Sequence, residues 1–279
     1  MTSSGRLVLV STPIGNLGDL SSRAVETLRA CALICCEDTR HSGKLLSHAG
    51  VSGVRLAIAN EHTELARAEE VLGLLAAGND VAVVTDAGTP GISDPGARLV
   101  RAAVDAGYVV SAVPGPAALV MALVISGFDS TRFVFEGFLP RSGRERTERM
   151  AEVAAERRTT VLYEAPHRVE RTVADLGVAC GTGRRVALTR ELTKLHEEVW
   201  RGTLGEAAAH LAERAPRGEY VVVVEGAPSA DAADDEAVLS ALRMALAAGA
   251  DRRNAIATVM SSTGAAKRRV YDLALTLPR

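Results

Sequence analysis

"RLVLVSTPIGNLGDLSSRAVETLR", residues 6–29, runs from an apolar stretch through a glycine-bearing loop into a segment with helical periodicity. A strand that ends in such a loop before a helix is the opening unit of a doubly wound α/β fold, and the loop is where those folds hold ligands. Gly15 and Gly18 occupy the second and third glycine positions of a G-x-G-x-x-G fingerprint, but Pro13 stands at the first. Asp38, twenty residues after Gly18, has the spacing of a ribose-binding acid. Proline speaks against a dinucleotide. It cannot make the tight turn of the first glycine, and it removes an N–H from a loop whose task would be to donate N–H groups to a pyrophosphate.

The same alternation continues outward. "CALICCED" (31–38) precedes "SGKLLSHAG", "VRLAIAN" (54–60) precedes "ELARAEEVLGLLAAG", "DVAVVTD" (80–86) precedes "PGARLVRAAVDAG", and "YVVSAVPG" (108–115) precedes "PAALVMALVISG". The strand candidates are unbroken apolar runs, as expected where helices cover both faces of a parallel sheet. After about residue 118 the order changes: "RRVALTREL" and "HEEVWRGTL" are two strand candidates in succession, which predicts a mixed sheet. The expected organisation is an α/β domain over 1–117, a second over 118–226, an alanine-rich acidic linker over 227–237 and a basic helical segment over 238–279.

Composition sets limits. The chain has 279 residues, 47% hydrophobic and 24% charged, with a net charge of −2, so any anionic partner must meet local basic patches. No apolar run approaches the roughly 18–20 residues of a membrane span, and the N-terminal run is too short to read as a secretory signal. The four cysteines lack C-x-x-C spacing; Cys31, Cys35 and Cys36 read as buried thiols, with a reducing cytoplasm implied.

Two more loops stand at strand ends. "TDAGTPGISDPG" (85–96) carries Gly88, Gly91 and Gly96; within it Asp94 before Pro95 reads as a helix cap followed by proline at N1, while Asp86 has no such structural reading. "VPGPAAL" (113–119) places Ala117 and Ala118 beside a sharply fixed Gly115. Three such loops in one domain predict a ligand cleft, and the shortage of lysine there argues against a polyphosphate.

"TPIGNLGD", "EDTR", "NEH", "DAGTPGISDPG", "PGPAA", "LYEAPHR" and "RELTKLHEE", in order over residues 7–226, together resemble the ribosomal RNA small subunit methyltransferase I group within the tetrapyrrole-methylase-like enzymes. The resemblance implies two α/β domains with S-adenosylmethionine in the cleft between them. It implies contacts from Pro13, from Ala87, Gly88 and Thr89, from Ala117 and Ala118, and from Tyr163, Glu164, Gly218, Glu219 and Tyr220. On this reading the Pro13 loop is intact and serves a sulfonium nucleoside with no phosphate to cradle. The implied reaction is methylation of a cytidine ribose 2′-oxygen at the decoding centre of 16S ribosomal RNA, without a metal.

That chemistry asks for alignment, a proton acceptor and a cation near the developing alkoxide. "EDTRH" offers Glu37, Asp38, Arg40 and His41; "YEAPHR" offers Glu164, His167 and Arg168; "RELTK" offers Arg190, Glu191 and Lys194; Asp86 completes the set. Glu37 or Asp38 is preferred to Glu164 as base, though Glu37 and Arg40 could simply pair. Arg40, Arg168 and Arg190 are read as phosphate or oxyanion partners, with His167 and Lys194 on the substrate side. "RSGRERTER" (141–149) has four arginines against two glutamates and is read as an RNA-contacting flap or a solvated helix face.

From 238 to 279, seven Arg/Lys face two Asp. Three short helices with glycine breaks at 249 and 264, the last beginning with Lys267, Arg268 and Arg269, resemble a helix-turn-helix; a docked tail with solvated charges is the alternative. The expected partners are 16S RNA in the assembled small subunit and, from the family, a second copy of the chain. Two rivals stand beside this reading. One is a small-molecule, tetrapyrrole-like methyltransferase of the same architecture; the other is an RNA-binding module without catalysis, against which the three loops argue.

Overall fold

The computed structural model describes residues 4–60, 63–213, 215–228, 235–247, 250–263, 265 and 267–277. Glu61 and His62 of the "NEH" motif, most of the expected linker, and the breaks at Gly249 and Gly264 lie outside them. Two compact units make up the chain, residues 1–225 and 226–279.

In the first unit the unbroken apolar runs become β1 (Arg6–Val10), β2 (Leu33–Cys36), β3 (Arg55–Ile58), β4 (Val81–Val83) and β5 (Val109–Val113). They form a parallel sheet in the order β3-β2-β4-β1-β5. Side chains alternate across it. Ile34, Cys36, Val8 and Val10 pack with Leu28 of α1 (Ser22–Ala30) and Leu46 of α2 (Thr39–His48). Leu33, Cys35, Leu7 and Val83 pack with Leu75 of α3 (Glu64–Ala76) and Leu99 of α4 (Ala97–Asp105). Burial on both faces is why these strands carry no polar alternation. It also pushes the thiols of Cys31 and Cys35 up, to about 11 and about 12, so they are packing groups. β1 and β4 are neighbours whose following helices cover opposite faces, and the crevice between their carboxyl ends is where such a sheet takes a ligand.

The chain crosses at residues 114–117 to α5 (Ala118–Ser126), which packs on a second sheet. β6 (Phe133–Phe138), β7 (Thr159–Glu164), β8 (Arg185–Arg190), β9 (Glu198–Thr203) and β10 (Tyr220–Val224) lie in the order β6-β7-β10-β8-β9. Only β6 and β7 are parallel, so the sheet is mixed, as the two successive strands predicted. Leu119, Ala122 and Leu123 of α5 cover one face against Val161, Val221 and Val223. α6 (Gly143–Ala155), α7 (Pro166–Cys180) and α8 (Leu204–Glu213) cover the other, through Met150, Val173 and Leu211 among others.

The arginine-rich stretch is part of that second cover rather than a flap. Arg146 is 5% exposed; it donates to Asp175 at 2.8 Å, to Thr172 Oγ1 at 3.2 Å and to the Pro140 carbonyl at 2.9 Å. Arg144 pairs with Glu148 and Arg149 with Glu136.

The second unit is three helices, α9 (Asp235–Ala247), α10 (Arg252–Thr263) and α11 (Lys267–Leu275), around Val238, Leu242, Val259 and Val270. α9 begins inside the expected linker. Lys267, Arg268 and Arg269 do open the last helix, and Arg269 pairs with Asp235 at 2.7 Å. No helix among the described residues is long and apolar enough to cross a membrane.

Candidate active site

The loops that follow β1, β4 and β5 interlock. Thr12 and Gly88 exchange backbone hydrogen bonds, Thr12 N to Gly88 O at 2.8 Å and Gly88 N to Thr12 O at 3.1 Å. Thr12 Oγ1 donates to Thr85 O, Ser11 Oγ meets Thr89 Oγ1 at 3.0 Å, and Thr89 Oγ1 reaches Pro116 O at 3.0 Å. Gly115 approaches Ser11 so closely that a Cβ would fall 2.8 Å from the serine Cβ. The amides of Ser11 and Thr12 are thus spent inside the protein, on Val113 O and Gly88 O. This loop is a floor rather than a phosphate cradle.

Above the floor lies a cavity of about 530 Å³, within the range of small-ligand sites. Ile14, Ala87, Gly88, Thr89, Ala117 and Ala118 line it from the first sheet's loops. Phe138, Tyr163, Leu192, Glu219, Tyr220 and Val221 line it from the second sheet. The Tyr163 hydroxyl accepts from Leu119 N at 3.2 Å, locking its ring across the opening of α5.

The polar lining is acidic. Glu37, Asp86, Asp94, Glu164 and Glu219 all reach the cavity, against Lys194 and His167. Asp86 Oδ1 is buried with no hydrogen-bond partner among the described residues. Burial pushes the Glu37 carboxyl up, with the Asp86 and Asp38 charges adding to it. Asp94 is raised to about 7, first by burial and then by Glu37, Asp86 and Glu219.

Asp94 corrects the sequence reading. It does not cap α4; Gly96 stands at the cap with φ 131, and the amides of Gly96, Arg98 and Leu99 all donate to Oε1 of Glu64, at 2.9, 2.9 and 3.0 Å. The cap comes from α3, about thirty residues upstream, so nothing local announces it.

Other expected residues either fall outside the cavity lining or stand in it already engaged. Asp38 caps α2, accepting from Arg40 N at 2.7 Å and pairing with the Arg40 guanidinium at 2.8 Å, which holds its carboxyl down at about 2. Arg40 itself is an exposed side chain. Arg168 braces the second sheet, donating to Leu139 O at 2.5 Å and standing 3.2 Å from Glu164. Glu164 lines the cavity but is 2% exposed and committed, accepting also from Ala165 N and from Thr172 Oγ1 at 2.6 Å. Arg190 pairs with Glu198. Pro13 is buried, and its neighbour Ile14 lines the cavity in its place. Gly218 (φ 75) lets the backbone pass Glu191, where a Cβ would fall 2.5 Å from the carboxylate carbon. Lys194 ties this corner together through Glu191 at 2.8 Å and Glu219 at 2.7 Å. Lys267, Arg268 and Arg269 belong to the helical unit.

Ile92, Ser93, Phe138 and Leu192 were missed. Ile92 and Ser93 lie inside the 85–96 loop and Leu192 follows Glu191, so adjacency was the available signal for these three, and Phe138 had none.

A parallel sheet, a mixed sheet and a cavity at the carboxyl ends of β1 and β4 define one class: the chain belongs to the tetrapyrrole (corrin/porphyrin) methylases, whose family pattern matches residues 6–208. The solved structure of the methyltransferase CobJ, 20% identical, matches 81% of this chain and 95% of its own with a TM-score of 0.60, a likeness of fold. Within that class the chain is a member of the ribosomal RNA small subunit methyltransferase I group. It is 45% identical to the protein of that name from Synechocystis sp. over 98% of both chains. To the one from Xylella fastidiosa (strain Temecula1) it is 48% identical, over 84% of this chain and 86% of the relative. It is a methyltransferase.

Proposed function

We propose that the cavity binds S-adenosylmethionine and that the chain methylates the ribose 2′-oxygen of a cytidine in the decoding centre of 16S ribosomal RNA. The observation that carries the cofactor reading is the buried, unpartnered Oδ1 of Asp86 in an acidic cavity. A buried carboxylate oxygen without a partner is costly unless a ligand satisfies it, and a ligand bearing a sulfonium and an ammonium group suits that need. The RNA reading rests on the relatives' names.

S-adenosylmethionine, when bound, supplies an electrophilic methyl group on a positively charged sulfur. The chain's own residues do the rest. Asp86 and Glu37 provide negative potential. Ala87, Gly88, Ala117 and Ala118 leave room beside the floor, and Phe138, Leu192 and Ile92 keep water away. Lys194 is the cation within reach of an acceptor's developing charge, held in place by Glu191 and Glu219. His167, at the first turn of α7, is the second polar group on the acceptor side.

The substrate is the assembled small subunit, met in the cytoplasm, and the working form is a homodimer. The basic start of α11 supplies a further contact to RNA phosphates. The test is methyl transfer from labelled S-adenosylmethionine into small subunits lacking the modification, followed by nucleoside analysis. Label in 2′-O-methylcytidine is expected. Cofactor binding without label in RNA would overturn the acceptor and favour a small-molecule substrate.

A further inference from the structure

We propose that Asp94 is a catalytic residue, whose carboxylate accepts the proton of the hydroxyl being methylated, and that Glu64 is the positioning residue that keeps it free to do so. The proposal rests on the reading of the chain as a hydroxyl-directed methyltransferase.

The geometry around α4 carries the argument. Asp94-Pro95 is a ready-made cap and first helical residue, yet the helix starts two residues later, at Ala97. Its open amides are satisfied instead by one oxygen of Glu64, a carboxylate 3% exposed and brought from α3. The turn that results is tight: Gly91 N donates to Pro95 O at 3.1 Å, and Ser93 is held in the left-handed region at φ 62. A non-glycine residue there and a buried carboxylate both cost stability that a cap from Asp94 would spare. What the arrangement gains is an Asp94 side chain that lines the cavity with no hydrogen bond to any described residue.

The other carboxylates are less available. Glu164 is engaged by Ala165 N, Thr172 and Arg168. Glu219 is paired with Lys194, and Asp38 with Arg40. Asp86 has its Oδ1 buried. Glu37 faces Asp86, Asp38 and His41 at the end of β2. Asp94 is where the charges from separate segments converge: Glu37 after β2, Asp86 after β4 and Glu219 before β10, with Tyr163 and Glu164 of β7, His167, Lys194 and Tyr220 completing the titratable and charged lining. That environment raises its proton affinity to about neutrality, which is where a general base works best.

The step balances. The acceptor oxygen forms its bond to the methyl carbon while the methyl–sulfur bond breaks and leaves its electron pair on sulfur. The hydroxyl proton passes to the Asp94 carboxylate and then to solvent.

The test compares the wild-type chain with Asp94→Asn, Glu64→Ala and Glu64→Gln. Asp94→Asn is expected to lower kcat about 10²–10⁴-fold, to abolish the rise of kcat/KM for S-adenosylmethionine through pH ~7, and to leave the calorimetric Kd for S-adenosylmethionine within about threefold. Without cofactor, carboxyl NMR should find a group titrating near neutrality in the wild type that is absent from Asp94→Asn. Glu64→Ala should lose kcat with little change in KM, and Glu64→Gln, which keeps the Oε1 acceptor, should recover most of it. An Asp94→Asn variant within threefold of wild type, or one that keeps the pH-dependent rise, overturns the assignment. So does a tenfold loss of cofactor affinity with kcat intact. Failure of Glu64→Gln to rescue overturns the role of Glu64. A wild-type chain that binds cofactor but methylates no hydroxyl refutes the acceptor reading instead.

Discussion

Lys194 lies across Gly15: a Cβ at position 15 would fall 2.2 Å from the lysine Cγ and 2.9 Å from its Cε. The loop after β1 and the loop after β8 therefore meet through one lysine stem, and the ammonium beyond it reaches Glu191 and Glu219. Gly15→Ala should push the stem aside and leave both carboxylates without their cation. We expect methyl transfer to fall at least about tenfold, with Tm lowered by only a few degrees. Paired activity and thermal-melt measurements check this; unchanged activity would mean the lysine is not needed where it lies.

Asp86→Asn should separate binding from stability. Removing a buried carboxylate oxygen that has no partner among the described residues relieves a cost to the fold, while removing the counterion of a cationic ligand weakens binding. Calorimetry should show a loss of S-adenosylmethionine affinity of about tenfold or more, and a melt should show Tm unchanged or raised.

Arg40 and Arg168 look alike in the sequence but should not behave alike. Arg40 is an exposed side chain, 87% accessible, paired with a cap residue, and solvent screens a surface pair of this kind. Arg40→Ala should therefore leave Tm near wild type, and any loss of methyl transfer would report contact with RNA. Arg168→Ala breaks a bond to Leu139 O and uncovers Glu164, so a fall in Tm should accompany its loss of activity. Denaturation curves for both variants decide the matter.

Arg146→Met should cost about 2 kcal/mol or more, because it removes a buried guanidinium's bonds to Asp175, to Thr172 and to the Pro140 carbonyl. The salt dependence of RNA binding should not change, since the side chain never meets solvent phosphate. A flatter salt slope in this variant would return the helix to the RNA-contacting role.

The Asp94 carboxyl also makes stability depend on pH. Its folded value is raised to about 7 from 3.8, so between those limits the folded chain holds a proton that the unfolded chain has released. Stability then falls as pH rises through that window, is unaffected below it and stays reduced above it. Asp94→Asn should melt above wild type at pH 8 and converge with it near pH 4.

Much of the fold could be read from local pattern. Runs such as Leu33–Cys36 lie buried on both sides, and that condition leaves an apolar signature in the chain itself. The loops at 87–89 and 117–118 were legible for a similar reason, since glycine, proline and alanine are required where backbones touch, as at Gly115 and Ser11. Asp94 was misread because its competitor for the helix cap is Glu64, brought there by tertiary packing. The engagement of Arg146 and Arg168 was not legible because a charged residue's burial depends on partners in other elements, Asp175 and Leu139. Asp38 and Arg40 are two residues apart, and their mutual engagement, like that of Glu191 with Lys194 and of Glu164 with Arg168, was open to a local reading.

The place of β10 bears on biosynthesis. It is the last strand among the described residues, yet it lies between β7 and β8, with Tyr220 opposite both Glu164 and Arg190. During translation the first sheet has every strand by residue 113, whereas the second keeps a central gap until residues 220–224 leave the ribosome. Glu219, Tyr220 and Val221, one wall of the cavity, arrive with that strand. A nascent chain therefore has no complete pocket until about four-fifths of it is made, and truncated products released before that point should be unable to sequester cofactor.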